Sequence, residues 1–500
     1  MLINPSFKVK VNLNLYLYLN LKLSFALCFV FVVLMSSCEK DRKAPVDPNA
    51  RSEERLLMDS IYYYYNAYSL WTDDSIPDYE LPAQFTDAFQ TKEDVLTALT
   101  QRTPYYPAYG GPIDRFSYMV NATTTQGTST IDTQSGMGLY VSIGAVSDTL
   151  AYPIIYFVEP GSAAAAKGIR RSDMLLKLKD NIDLSVPVTC DDNSCTATDP
   201  ARYSAVVSLV FDAINSSTMD LTLLRNDTQL RYVLQSSTYE IAPFYKDTIF
   251  RYPEKRIGYL GLSTFADIEN SATNKQAFED VFKRFEQGNV EELIVDMRYN
   301  TGGYVATASY LANKVIPAED DGKLMFSYAV NQYLESQMHS ADFQFAPEYF
   351  KRQNALSLKR VYFLVSKSTA SAAELYINIL KAYMPVYIIA EQSHTYGKPV
   401  GYFPQTLMNK VDLWVASFKL VNALGTSDYW NGIAADKTYV DDYIFKDFGD
   451  SQETMIATAL AHSLSSTRLK VAAPSVAAEA PRKKVELKKI NSVPIRVLHK

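Results

Sequence analysis

Residues 293–303 read LIVDMRYNTGG, a short apolar run followed by a mainly polar stretch that ends in two consecutive glycines. A short apolar run closed by a turn signal predicts a buried β-strand. The glycine pair predicts a turn with accessible backbone N–H groups, and a helix is expected from about Val305. The same alternation occurs upstream, with a strand pattern at 257–265 and one apolar helical face at 277–285. Strands that alternate with helices predict an α/β layer around a buried sheet.

A second segment, residues 368–375, reads STASAAEL and lies between a predicted strand and a predicted helix. Ser371 falls at the expected start of that helix, where free N–H groups and the helix dipole favour an oxyanion. Serine is also one of the commonest N-cap residues, and Ser371 with Glu374 fits the capping-box pattern. This segment alone therefore fits a structural cap as well as a nucleophile. Only a catalytic partner elsewhere in the sequence would favour the second role.

Residues 391–398, EQSHTYGK, follow the next predicted strand and contain two candidate partners. A turn at Gly397 would direct Lys398 toward the end of the sheet. Burial in apolar surroundings lowers the pKa of a lysine from its reference value of about 10.4, so that a neutral amine can accept the serine proton. His394 is the alternative base, because imidazole titrates near neutrality without burial. No G-x-S-x-G elbow surrounds Ser371, which weakens the Ser-His alternative.

Two glycine-containing segments lie upstream, GMGLYV at 136–141 and VEPGSAAAAKGI at 158–169. Together these segments resemble a PDZ domain of the bacterial protease type. This resemblance implies that the backbone amides of Met137, Gly138 and Leu139 bind a terminal carboxylate, which glycine lets the chain approach closely. A plain glycine turn is the alternative for the first segment.

The motifs D-x-R-x-N-x-G-G, S-T-A-S-A-x-E and T-Y-G-K, in this order and downstream of these glycine segments, resemble the C-terminal processing peptidases, also called tail-specific proteases. The resemblance covers about residues 131–442. It implies a PDZ-like β module and an α/β peptidase core of the ClpP/crotonase-like type. It also implies a serine endopeptidase with Ser371 as nucleophile and Lys398 as general base, without a metal or organic cofactor. Its substrates would be proteins or peptides bound through their C-termini.

The same resemblance implies roles for residues around this pair. The amide of Ala372, together with that of Gly302 or Gly303, would bind the oxyanion. Three charged residues would support the structure of the site: Glu374, Asp296 and Arg298.

The sequence departs from the family pattern at three points. The separation of Ser371 and Lys398 is slightly longer than usual, and Ala373 replaces the second small residue of the usual serine motif. Tyr402 stands where a glutamine commonly follows the lysine, and Gln405 is the nearest substitute. Because the serine, the lysine and the Gly-Gly turn are all present, activity is expected. A catalytically weak or inactive lipid-anchored scaffold that binds peptides is the alternative.

The first forty residues have the features of a lipoprotein signal peptide. Basic residues precede an apolar run at 23–35, and the sequence LMSSC at 34–38 follows the pattern of a lipidation site. The run is shorter than the roughly 20 residues needed to span a bilayer. We therefore expect cleavage before Cys38 and a lipid anchor in the bacterial cell envelope, in the outer membrane and facing the periplasm or the surface. An uncleaved helix or an ordinary signal peptide is the alternative.

Composition excludes some classes of function. A net charge of −6 and a pI near 5.5 give no general attraction to nucleic acid. Cys190 and Cys195 form either a small disulfide loop or two free thiols, and two cysteines without a neighbouring histidine make a poor zinc site.

The predicted fold class is multidomain α+β, with six parts along the chain. They are a signal peptide (1–37), a tether (38–53), a small helical N-terminal domain (54–130), a PDZ-like domain (131–238), a catalytic domain (239–462) and a flexible basic tail (463–500).

Overall fold

The computed structural model of the protein describes residues 51–72, 81–122, 133–179, 182–191, 194–337, 345–353, 356–465 and 485–493. The predicted signal peptide, Cys38 and most of the predicted tether lie outside these residues. The described chain has a mixed α/β fold. In that part of the chain, no helix has the length and apolar character required to cross a membrane.

Ten α-helices lie within the described residues, and most of them begin at a polar N-cap. In chain order they are Glu53–Tyr68, Ala83–Thr86, Lys92–Thr100, Ala163–Ala166, Pro200–Ile214, Ala272–Gln287, Val305–Val315, Gln332–Ser336, Ala372–Lys381 and Thr454–Ser465, with a 3-10 turn at Ala318–Asp320.

Within the described residues, the strands form one central sheet and five further sheets. The central sheet has the order Phe244–Tyr252, Lys255–Leu262, Glu292–Asp296, Arg360–Val365, Val386–Ala390. A four-stranded sheet has the order Glu348–Tyr349, Leu324–Ala329, Ala416–Asn422, Val400–Tyr402, and a three-stranded sheet the order Gln405–Leu407, Val411–Trp414, Tyr118–Asn121. Two small sheets pair Tyr105–Tyr106 with Gly111–Pro112 and Thr133–Gly136 with Ser237–Glu240.

The central sheet confirms the α/β layer predicted for the second half of the chain. Its last four strands are parallel, and Asp296 pairs with Leu364, which pairs with Ile389. The strand Glu292–Asp296 is completely buried, and the predicted helix begins at Val305. Because parallel strands end at the same edge of a sheet, the segments that follow these strands meet there.

The helices expected in the N-terminal region are present, but they do not form a core of their own. The helix Glu53–Tyr68 shares one hydrophobic cluster with Leu407, Val411 and Leu413, which lie far along the chain. The strand Tyr118–Asn121 also pairs with Val411–Trp414. The N-terminal region is therefore part of one unit with the strands at 405–414.

A nine-stranded sheet, which we call the β module, holds most of residues 139–235. Its strands are Leu139–Ser147, Leu150–Val158, Met174–Leu178, Ile182–Asp183, Val186–Cys190, Cys195–Ala197, Thr218–Arg225, Thr228–Gln235 and Val485–Lys489. The helix Pro200–Ile214 packs Val206 and Val210 against this sheet. A disulfide joins Cys190 to Cys195, so the first of the two alternatives for these cysteines holds.

The prediction of a flexible tail over 463–500 is wrong for its described residues. The helix Thr454–Ser465 extends past the predicted boundary, and Val485–Lys489 is an ordered strand that pairs with Leu139–Ser147. The basic composition favoured disorder, but the open edge of the β module provides hydrogen-bond partners that composition does not reveal. Residues 466–484 and 494–500 lie outside the described residues.

Buried ion pairs join the β module to the central sheet. Arg171 of the β module contacts Asp442 Oδ1 through Nη2 at 2.6 Å and donates through Nη1 to the hydroxyl of Tyr299 at 3.0 Å. Arg298 contacts the same Asp442 oxygen at 2.7 Å. Burial alone would raise the pKa of Asp442, but the charges of Arg171 and Arg298 lower it well below its usual range.

Replacing Arg171 by Met should destabilise the protein, because Asp442 would lose one of its two buried cationic partners. We expect the free energy of unfolding to fall by about 3 kcal/mol. The matched control is Arg231→Met, which removes an exposed ion pair with Asp220 and should cost less than about 1 kcal/mol. Urea unfolding followed by tryptophan fluorescence measures both. A small and equal loss of unfolding free energy in Arg171→Met and Arg231→Met would show that the buried ion pair does not hold the β module in place.

Candidate active site

Ser371 lies at the edge of the central sheet, immediately before the helix Ala372–Lys381. Its backbone has φ 62° and ψ −118°, and its side chain is fully buried. A residue other than glycine in such a conformation costs roughly 1–3 kcal/mol, and such strain is concentrated at functional sites. The location at the helix start is the one that the sequence predicted.

The glycine pair packs directly against Ser371. Gly302 has φ 115°, and a Cβ atom there would lie 2.8 Å from the Cβ of Ser371 and 3.2 Å from the amide nitrogen of Ala372. A side chain at this position would therefore displace the serine. Gly303 has φ 141°, and a Cβ there would lie 2.3 Å from the carbonyl oxygen of Phe265.

The sequence left two glycines as alternatives for the oxyanion, and the structure gives a hydrogen-bond partner for the amide of Gly302. The amide of Gly302 donates to the side-chain oxygen of Asn300 at 2.9 Å, so it is already engaged. Gly303 is the remaining glycine alternative beside Ala372. The side-chain nitrogen of Asn300 donates to the carbonyl of Leu262 at 3.1 Å, and the backbone carbonyl of Asn300 accepts from the amide of Ala370. It fixes the turn on which the glycines lie.

Glu374 holds the nucleophile segment and the lysine segment together. Its Oε2 accepts from the amides of Ser371 at 2.9 Å and Lys398 at 2.8 Å. Its Oε1 accepts from the hydroxyl of Thr395 at 2.5 Å and the amide of Gly397 at 2.7 Å. Burial raises the pKa of Glu374, and these four donors oppose that shift by stabilising the carboxylate. Glu374, which was predicted as a supporting residue, therefore links the two motifs directly through hydrogen bonds.

Lys398 is fully buried, and its amine has no hydrogen-bond partner within the described part of the chain. Burial lowers the pKa of Lys398 well below its ordinary value, and the charge of Glu374 opposes this only in part. The neutral form of the amine is therefore favoured. A hydrogen bond between this amine and the Ser371 hydroxyl is not formed in the structure, although the backbones of both residues bind one carboxylate oxygen.

Tyr402 covers the amine in place of the usual glutamine. Lys398 Nζ lies 4.3 Å from the centroid of the Tyr402 ring, and the Tyr402 hydroxyl donates to the carbonyl of Phe116 at 2.8 Å. Trp414 contacts the same ring edge to face, with the centroids 6.0 Å apart. Gln405 lies on the strand Gln405–Leu407 of another sheet. An aromatic wall, in part from the N-terminal region, therefore keeps water from the lysine.

The turn before the lysine requires its glycine. Gly397 has φ 91°, and a Cβ there would lie 2.2 Å from the carbonyl oxygen of Trp430. Nearby, Nδ1 of His394 lies 2.6 Å from the carbonyl oxygen of Thr395. This contact engages one ring nitrogen of His394 with the local backbone.

Asp296 and Arg298 brace the strand-end turn, as expected for supporting residues. Arg298 donates to both oxygens of Asp296, through Nε at 3.0 Å and Nη2 at 2.8 Å. It also reaches Glu453 through Nη1 at 2.9 Å, and its carbonyl accepts from the hydroxyl of Ser366. Ser366 belongs to the segment that leads to Ser371, so the two turns are tied together.

Sequence reasoning missed several residues that build this site. Asn300 and Thr395 lie inside the motifs that were quoted, and their polar side chains close to glycine turns were the available signal. Asp442, Glu453 and Arg171 had no local signal, because each is brought to the site by folding alone.

The predicted carboxylate loop of the β module is glycine-dependent for a structural reason. Gly138 has φ 74°, and a Cβ there would lie 2.1 Å from the Cβ of Ser162. The side chains of Met137 and Leu139 are buried in the module core. Binding of a carboxylate by these three amides stays a prediction. Among the described residues, no cluster of three His, Cys, Asp or Glu side chains could hold a metal ion.

The comparisons with known proteins agree with the motifs. Residues 256–438 match the sequence profile of Peptidase family S41. The chain is similar to a candidate S41 protease from Bacteroides fragilis NCTC 9343, with 21% identity, a TM-score of 0.57, and coverage of 82% of this chain and 97% of that one. It is also similar to a photosystem II D1 C-terminal processing protease, with 16% identity, a TM-score of 0.43, and coverage of 78% and 93%. The first structural likeness shows a shared fold, and the profile match supports a serine peptidase. The resemblance stated from the motifs is thus confirmed.

Replacing Glu374 by Gln should loosen the link between the two motifs. The new amide group would face N–H and O–H donors, which leaves at least one of them unsatisfied at a cost of about 1–3 kcal/mol. Misplacement of Ser371 and Lys398 should also lower the rate of peptide-bond cleavage by about 10²-fold. Urea unfolding and casein hydrolysis measure the two effects. The control is Glu335→Gln, an exposed residue on the helix Gln332–Ser336, which should change neither quantity.

Proposed function

Residues 256–438 form a domain of Peptidase family S41, and on this basis we propose that the protein is a serine endopeptidase with Ser371 as nucleophile and Lys398 as general base. The observation that carries the proposal is the buried amine of Lys398, which lacks a hydrogen-bond partner among the described residues. An unpaired buried polar group costs about 1–3 kcal/mol. Such a cost is retained where the group has a catalytic task.

The neutral amine explains how a lysine can serve as a base here. Ser371 Oγ attacks the carbonyl carbon of the scissile peptide bond, and its proton passes to Lys398 Nζ. The resulting ammonium then donates this proton to the leaving nitrogen as the C–N bond breaks. Water hydrolyses the acyl-enzyme ester, with Lys398 again acting as base, and the serine is regenerated. The protein needs no metal or organic cofactor for these steps.

Charge that develops during the reaction has partners in the site. The amides of Ala372 and Gly303 are the proposed donors to the oxyanion, and the N-terminus of the helix Ala372–Lys381 adds its dipole. The carboxylate of Glu374 favours the transient ammonium of Lys398, because its charge raises the pKa of that amine against the effect of burial. The low polarity of the site strengthens each of these interactions.

The β module is proposed to recognise the substrate. Like a PDZ domain, it has a glycine loop at Met137–Leu139 that leads into a strand, Leu139–Ser147, and a helix, Pro200–Ile214, packed on the sheet. A C-terminal segment bound there would add binding energy to cleavage upstream. A lipid on Cys38 would place the enzyme in the bacterial envelope, where exported proteins are the available substrates.

Cleavage of an unstructured protein tests the two catalytic assignments. Ser371→Ala should abolish casein hydrolysis, and Lys398→Ala should lower it by about 10²–10⁴-fold. The controls are His394→Ala and Lys381→Ala, an exposed lysine on the helix after Ser371, which should retain activity. Equal absence of cleavage in the parent and in Ser371→Ala would favour the peptide-binding scaffold instead. Loss of activity in His394→Ala alone would favour a Ser-His pair.

The lowered pKa of Lys398 makes a pH prediction that does not depend on activity. The folded protein keeps this amine neutral, whereas the unfolded chain binds a proton up to about pH 10.4. Stability should therefore rise with pH between these two pKa values, by up to about 1.4 kcal/mol per pH unit. Lys398→Met should remove that rise and should make the protein more stable at pH values below it, while lowering cleavage by the same factor as Lys398→Ala. Identical pH dependence of unfolding in the parent and Lys398→Met would contradict a neutral lysine.

The rate of cleavage should follow the same titration. Because only the neutral amine accepts a proton, kcat/KM should rise with pH through the lowered pKa and become constant where an ordinary lysine is still charged. A peptide substrate without ionisable side chains isolates this effect.

A further inference from the structure

The segment Val485–Val493 occupies the outer edge of the β module. The strand Leu139–Ser147 pairs with Leu150–Val158 on one side and with Val485–Lys489 on the other. The second pairing is antiparallel, with Val485 opposite Ala145 and Lys489 opposite Ser142. The segment therefore runs toward Leu139, where the glycine loop of the module ends.

The ladder continues beyond the regular strand through a side chain. The amide of Ile490 donates to the carbonyl of Val141 at 2.8 Å. The side chain of Asn491 then accepts from the amide of Val141 at 2.9 Å and donates to the carbonyl of Leu139 at 2.8 Å. The Asn491 carboxamide thus replaces a backbone amide and binds the part of the edge nearest the glycine loop.

Apolar side chains of the segment face the module. Leu487 and Ile490 pack against its hydrophobic core, whereas Lys488 and Ser492 are exposed. Val493 is only 6% exposed and joins the cluster between the β module and the central sheet. Burial of aliphatic side chains on one side of an added strand is how a sheet edge selects a peptide.

Lys489 connects the same segment to the peptidase region. Its Nζ lies 3.8 Å from Oε1 of Glu391 and 5.1 Å from the ring centroid of Tyr156. Glu391 is the first residue after the strand Val386–Ala390, at the start of the segment that carries the proposed base. The segment is therefore fixed to both units rather than lying loosely on one.

These contacts are those of a peptide added to a sheet edge. We propose that residues 485–493 are an intramolecular ligand of the β module and compete with substrate segments for the edge of Leu139–Ser147. The proposal rests on the peptide-binding role proposed for the module. The ligand class is an extended peptide with two aliphatic side chains three residues apart, followed by a carboxamide, as in Leu487, Ile490 and Asn491.

The test measures binding of a fluorescein-labelled peptide with the sequence of residues 485–493 to the full chain. All proteins carry Ser371→Ala, so that no cleavage occurs. Leu487→Asp with Ile490→Asp detaches the internal segment, and Lys488→Gln with Ser492→Asp is the control with the same change in net charge at exposed positions. A tethered ligand has a high effective concentration, so the detached variant should bind the peptide at least about tenfold more tightly than the parent or the control.

Hydrogen exchange of residues 139–147 provides the second readout. These amides should exchange faster in the detached variant than in the parent, and added peptide should restore their protection. A chain ending at Ser465 should behave like the detached variant, which guards against misfolding caused by the two aspartates. The proposal is overturned by equal peptide affinity in the parent and in both altered chains, or by no binding to either altered chain when each remains folded. Neither result affects the Ser371-dependent cleavage that tests the proposed function.

Discussion

The carboxylate of Glu374 is the constraint on which the site depends. One oxygen binds the amides of Ser371 and Lys398, and the other binds Thr395 and Gly397. The proposed nucleophile and the proposed base come from loops that follow different strands, so neither loop alone determines their separation. A single buried anion with four donors fixes both backbones, because each unsatisfied donor would carry the cost of desolvation. The side chains of Ser371 and Lys398 therefore do not have to hold the two loops together.

This arrangement explains the contrast between the two buried ionisable side chains of the site. Glu374 is satisfied by hydrogen bonds and acts through the backbone. Lys398 is left without such partners within the described chain and is covered by the ring of Tyr402. A glutamine at position 402 would present polar groups to the amine, whereas the tyrosine ring offers only its face, since its hydroxyl is bound to Phe116. The departure from the family pattern therefore removes polarity from the surroundings of the base, which favours its neutral form.

The sequence was most informative where structure and chemistry are local. The strand at Glu292–Asp296, the helix from Val305 and the position of Ser371 all follow from short patterns of apolar residues, glycine and capping residues. Residues that meet only in the folded chain could not be found in this way. Asp442 gave no signal, because its role depends on two arginines that lie far away in the sequence. The N-terminal region looked like a separate helical domain because its helices are amphipathic, but that pattern does not state which surface the apolar face covers.

The C-terminal segment shows how the β module and the active site are physically connected. Its strand completes the module, and Lys489 reaches Glu391, whose amide donates to Val365 at the end of a central strand. Glu391 opens the loop that ends at Lys398, and Val365 leads into the loop that ends at Ser371. The segment at the module edge therefore contacts Glu391, whose own amide binds the end of the strand that leads to Ser371. A substrate peptide that displaces the segment must also release Lys489 from Glu391, so occupation of the module and the environment of the base loop change together. The difference in interaction free energy between these two occupants is what would couple recognition to cleavage.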